Sequence, residues 1–130
     1  MPLVRIDLSD TIAPQTVQTI SDVIYDAMRE VANVPENDRY HIITRHRRDE
    51  LVYPAAGYMG VTYTPDIIFI QVTWSRGRTV DVKKAFYRLV AENIHQKTGL
   101  RKEDIWINLV SVEREDWSFG NGIMQYADSL

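Results

Sequence analysis

The sequence predicts an α+β fold: one β-α-β unit written twice, giving a four-stranded mixed sheet with two helices on one face. Three observations carry this reading. The opening stretch MPLVRIDL alternates with period two, so Val4, Ile6 and Leu8 share one face of a strand while Leu3, Arg5 and Asp7 share the other. Val17, Ile20, Ile24, Ala27, Met28 and Val31 then recur at three- and four-residue spacing, the apolar stripe of an amphipathic helix. A shift of 66 residues maps both elements, and the strand that follows, onto a second copy. The organisation expected is a single domain over residues 1–130, with repeats at about 2–45 and 66–112 and a C-terminal segment 113–130.

Taken in order, the first strand is followed by a turn at Asp10 to Ala13, and Pro14 suits the first position of a helix because its missing N–H is not needed there. Ala13 is a weak N-cap, with no side-chain oxygen. Asn33 tolerates the left-handed conformation that ends a helix, and Pro35 prevents continuation. Tyr40, Ile42 and Ile43 read as the second strand. In the second copy Ile70, Val72 and Trp74 stand for Val4, Ile6 and Leu8, and Thr79, a better cap, stands for Ala13. Phe86, Leu89, Val90 and Ile94 stand for Ile20, Val23, Ile24 and Met28. Gly99, Leu100, Asp104 and Trp106 stand for Asn33, Val34, Asp38 and Tyr40. Helices of this length cross over and return each second strand parallel to its first. Residues 51–65, rich in Gly, Pro and Tyr, predict a short strand or hairpin and a linker. Gly120 and Gly122 interrupt the C-terminal segment, and Ile123 to Tyr126 could add an edge strand, to this sheet or to a neighbouring subunit's. A sheet with helices on one face only is expected to cover its other face by oligomerisation.

The bulk properties remove several function classes. A net charge of −3 offers no basic excess for nucleic acid. The absence of cysteine rules out disulfides and thiolate chemistry. No apolar run reaches the 18 or so residues of a membrane span and there is no signal-peptide pattern, which predicts a cytoplasmic protein. His41, His46 and His95 lack metal-ligand spacing, and Gly57, Gly60 and Gly77 are too far apart for a phosphate-cradling loop, so no cofactor is expected.

Three places carry chemistry. Removal of Met1 would leave Pro2 as a free secondary amine at the start of a strand; an ordinary α-amino group titrates at about 7.7–8.0 and serves as acid or base near neutrality. Its counterpart in the second copy is Ile68, so the amine exists once. Asp38 precedes the second strand, where parallel strands bring their starts together; it could hold a water or raise the pKa of the prolyl ammonium, although a solvated loop acid reads the same way. Arg76 and Arg78, in SRGRT ahead of the second helix, form a natural carboxylate site, since arginines at the positive end of a helix dipole call for a compensating anion. TRHRRDE, residues 44–50, reads as a solvated turn.

The opening PLVRIDL, the segment VPENDRY, the turn SRGR before KKAFY and the closing DWSFGNGIMQY together resemble the tautomerase superfamily, nearest its malonate semialdehyde decarboxylase-like branch. The resemblance spans the chain. It implies a tautomerase-like fold and a homotrimer of double units. It also implies a cofactor-independent lyase or isomerase acting on a small oxo-carboxylate, with Pro2, Asp38, Arg76 and Arg78 as catalytic residues. Arg76 and Arg78 would bind the substrate carboxylate, and Trp117 and Phe119 would pack around the pocket. Decarboxylation or hydration is implied if Pro2 is protonated, and keto–enol tautomerisation if it is neutral. A catalytically silent trimeric scaffold that retains the motifs is the remaining alternative. The linker 56–65 departs from the branch, with Tyr63 or Thr64 where an arginine is expected, and this bears on the substrate more than on the mechanism.

Overall fold

A computed structural model gives the structure of residues 2–128. Retention or loss of Met1, and the last two residues of the C-terminal segment, lie outside the described residues.

The chain runs β1 (Leu3–Ser9), α1 (Pro14–Val31), β2 (His41–His46), β3 (Ile68–Ser75), α2 (Val80–Thr98) and β4 (Ile105–Val112), ending with a single helical turn, α3 (Gln125–Asp128). The four strands form one mixed sheet in the order β2-β1-β3-β4. β1 is parallel to β2, β3 is parallel to β4, and the two inner strands are antiparallel. The duplication extends to the register: Val4 faces His41, and Ile70 faces Ile107, the same pair 66 residues on. Arg5 faces Gln71, which is its own image under that shift, so a pseudo-twofold axis passes between them.

The core lies between the sheet and the two helices. Val4, Ile6 and Leu8 of β1 and Ile68, Ile70, Val72 and Trp74 of β3 pack with Ile20, Ile24 and Met28 of α1 and Phe86, Val90 and Ile94 of α2. The helices start and stop as their local chemistry requires. Ala13 gives α1 no side-chain cap, whereas the Thr79 side chain accepts a hydrogen bond from the Val82 amide. Asn33 and Gly99 both take the left-handed conformation just past their helices, at φ 54° and 79°.

The helix-free face carries a polar row, where the Gln71 side-chain amide donates to Asn108 Oδ1 at 2.8 Å, and a contact between His46 Nε2 and Asp7 Oδ1 at 2.7 Å. Ile42 and Trp106 stand exposed on it. Residues 51–67 lie against part of this face; their hairpin is a tight turn in which Tyr58 and Val61 exchange two backbone hydrogen bonds around Met59 and Gly60.

The expectation of an edge strand at Ile123 to Tyr126 is corrected. Gly120, Asn121 and Gly122 all have positive φ and reverse the chain. The Gln125 side chain accepts from the Phe119 amide and donates to the Gly120 carbonyl, and the segment closes into the α3 turn. Among the described residues the segment joins no strand of this chain.

Candidate active site

Pro2 is buried at the head of β1. β1 is an inner strand, so its start is fixed from both sides: Leu3 faces Thr73 on β3, and the Val4 amide donates to the Tyr40 carbonyl at 2.9 Å. Beside Pro2 opens a cavity of about 290 Å³, lined by Pro2, Leu3, Tyr40, Trp117, Ser118 and Phe119.

The aromatic wall comes from the C-terminal segment. Trp117 and Phe119 stack with centroids 5.8 Å apart, and the Tyr126 ring meets Phe119 edge-on at 4.9 Å. The wall is tied to β3, because the Trp117 indole N–H donates to Ser75 Oγ at 3.2 Å. Trp117 and Phe119 therefore stand at the pocket, as expected. The sequence does not single out Tyr40 or Tyr126 as site residues: Tyr40 fits the pattern of a strand, and Tyr126 reaches the wall only through the reversal at residues 120–122.

Asp38 lies two residues before Tyr40, its amide donating to the Pro35 carbonyl. Burial raises its carboxyl above the ordinary value, while the positive amino terminus of the chain and Arg78 pull the other way. Asp38, Arg78 and Tyr126 thus sense one another at the Pro2 end of the sheet. Burial likewise raises the Tyr126 phenol, and the negative charge of Asp38 adds to the shift.

The two arginines part company. Arg78 is half-buried; its guanidinium lies over the Trp74 ring at 4.5 Å and donates to the carbonyls of Ser75 (2.8 Å) and Ala32 (3.3 Å). Ala32 caps the C-terminus of α1, the negative end of that helix dipole, which compensates part of a charge set at the positive end of α2. Burial still lowers the Arg78 pKa, and its Nε, also buried, has no hydrogen-bond partner among the described residues. Arg76 is 67% exposed and its Nε donates to Glu113 Oε1 at 2.5 Å. Pro2, Asp38 and Arg78 share one end of the sheet, whereas Arg76 stands outside, engaged with Glu113.

Pro2 and an aromatic wall line a small cavity, and a partly desolvated acid, Asp38, and a fixed cation, Arg78, stand at the same end of the sheet.

The sequence model of a family described as tautomerase enzymes matches residues 38–120. Two proteins of Bacillus subtilis (strain 168) are similar over nearly the whole chain. The probable tautomerase YusQ is 40% identical over 125 residues, 96% of this chain and 98% of its own length. The probable tautomerase YrdN is 32% identical over 126 residues, 97% and 96%. FG41 malonate semialdehyde decarboxylase, in a crystal structure inhibited by 3-bromopropiolate, superposes with a TM-score of 0.89 at 31% identity, covering 98% of this chain and 95% of that one. The chain belongs to the tautomerase superfamily, in its malonate semialdehyde decarboxylase-like branch.

Proposed function

We propose that this enzyme acts on a small oxo-carboxylate through the Pro2 nitrogen, as a malonate semialdehyde decarboxylase-like lyase. The observation that carries the reading is the placement of buried Pro2 in the aromatic cavity, at the same end of the sheet as Asp38 and Arg78. Arg78 binds the substrate carboxylate, with its buried Nε the donor left over from the contacts to Ser75 and Ala32. Arg76 joins it by exchanging Glu113 for the substrate. Asp38 favours the protonated form of Pro2 by charge attraction. The ammonium then polarises the 3-oxo group: the C1–C2 bond breaks, carbon dioxide leaves, and the electron pair moves into an enolate whose oxygen the ammonium stabilises. A proton at C2 completes the product. Attack of water on the same polarised carbonyl gives the hydratase variant.

A second reading is keto–enol tautomerisation with neutral Pro2 as general base. The burial of Pro2 and the nearby charge of Arg78 favour it by disfavouring the ammonium, and the two Bacillus relatives are named as probable tautomerases. Either reading fits a homotrimer that covers the helix-free face with Ile42 and Trp106.

The test pairs an NMR titration of the Pro2 nitrogen, in chain lacking Met1, with turnover of malonate semialdehyde and of the enol of phenylpyruvate. A pKa above neutrality with turnover of the semialdehyde is expected. A pKa well below neutrality with turnover of the enol alone counts against the decarboxylase and establishes the isomerase. Unchanged turnover in Pro2→Ala removes Pro2 from the chemistry, and no turnover of either substrate by wild type leaves the silent scaffold.

A further inference from the structure

We infer that Tyr25 is a positioning residue for Asp38, because helix α1 uses it to fasten both chain neighbours of that acid. On one side, the Asn37 amide donates to the Tyr25 hydroxyl at 2.8 Å, holding a residue whose φ is 67°. On the other, the Arg39 guanidinium lies over the Tyr25 ring at 4.2 Å and donates to Asp22 Oδ1, one helical turn away, at 2.7 Å. Holding the backbone immediately before Asp38, and the side chain immediately after it, against one helix residue narrows the directions in which the Asp38 side chain can leave the chain. Catalytic groups require such support from the surrounding shell.

The second half provides the internal control. The positions corresponding to Asp22, Tyr25, Asn37 and Arg39 hold Arg88, Ala91, Glu103 and Ile105, so none of the fastening pairs is available there. Asp104, the counterpart of Asp38, instead accepts directly from the Thr64 amide and hydroxyl at 2.8 and 2.6 Å. An acid bonded directly to the segment ahead of β3 needs no clamp. An acid whose charge must act on Arg78 and Tyr126 at the Pro2 end does.

The inference rests on the role proposed for Asp38, and the experiment separates the two. The Pro2 amine pKa is titrated by NMR in ¹⁵N-proline-labelled chain lacking Met1, for wild type, Asp38→Asn, Tyr25→Phe and Tyr25→Leu. Asp38→Asn lowers that pKa by about one unit or more. Tyr25→Leu reproduces part of this shift and adds nothing in the Asp38→Asn background. Tyr25→Phe, which keeps the ring under Arg39 and loses only the Asn37 hydrogen bond, gives a smaller shift with an unaltered melting temperature. A full shift in Asp38→Asn with none in the Tyr25 variants overturns the positioning role alone. No shift in Asp38→Asn overturns the role of Asp38 and the inference with it. If Tyr25→Leu does not fold, Tyr25→Phe decides by the same criterion.

Discussion

The two halves of the chain share a backbone and differ in what they do with it. Both give a strand, a crossover helix and a parallel strand in the same register. Pro2 heads β1, and its image heads β3 as Ile68, which is fully buried. Arg78 reaches the Pro2 end from the start of α2; its image, Ile12, brings a buried aliphatic chain to the other end. Asp38 interacts electrostatically with Arg78 and Tyr126, while Asp104 is 1% exposed and bonded to Thr64. At these three matched positions one end of the sheet keeps the groups proposed to react or bind, and the other keeps groups that pack or bond within the fold. The lesson is that a duplicated scaffold can place its proposed chemistry at one end and spend the matching positions of the other on structure.

The comparison can be broken in several ways. Arg78→Lys has the largest expected effect: an ammonium can neither spread over Trp74 nor fork to two carbonyls and a carboxylate, so kcat/KM falls on the order of a hundredfold, mostly through KM. Asn at both acids comes next. Asp104→Asn weakens two buried hydrogen bonds, costs about 1–3 kcal/mol and lowers the melting temperature with turnover per folded chain intact. Asp38→Asn does the reverse. Burial raises the Asp38 pKa, so its ionised form opposes folding above the ordinary carboxylate range; the melting temperature at neutral pH holds or rises while turnover drops.

His41 sharpens the contrast in pH. Its ring nitrogen bonds to Ser21 Oγ at 2.7 Å, and burial pushes its pKa from 6.5 to about 4. The unfolded chain therefore binds more protons in that window, and stability falls as pH drops from 6.5 towards 4. The counterpart Ile107 contributes nothing, and His41→Asn removes that part of the pH dependence of the melting temperature. The helix caps give the smallest effect: Thr79→Ala costs about 1 kcal/mol, and Ala13→Ser in the other half gains roughly 0.5–1 kcal/mol, both read by chemical denaturation.

Much of the fold was legible because it is written in periodicity and punctuation. The alternation in LVRIDL, the stripe from Val17 to Val31 and the stop signals at Asn33 and Gly99 each have a local physical cause, and their repetition at one offset predicts two β-α-β units side by side in one sheet. The candidate site was legible where residue type alone limits the chemistry a position can offer, as at Pro2 and Arg78, which the structure brings to one end of the sheet. It was not where geometry chooses among equivalent partners. Arg78 meets the carbonyl of Ala32, and a backbone carbonyl leaves no mark in a sequence. Arg76 pairs with Glu113, 37 residues away, because β4 happens to bring that carboxylate alongside. Tyr25 reads as one more partly exposed residue of α1. The turn at residues 120–122 folds Tyr126 back where its neighbours suggested a strand.

The central claim, that the chemistry lives on one nitrogen at one end of a duplicated sheet, is tested most directly by blocking that nitrogen and nothing else. Turnover of malonate semialdehyde and of the phenylpyruvate enol should be compared between chain that begins at Pro2 and chain that retains Met1, each identified by intact mass. With Met1 in place the Pro2 nitrogen is an amide, and turnover should fall by about 10²–10⁴-fold with the melting temperature little changed. Equal turnover by the two forms would contradict the account.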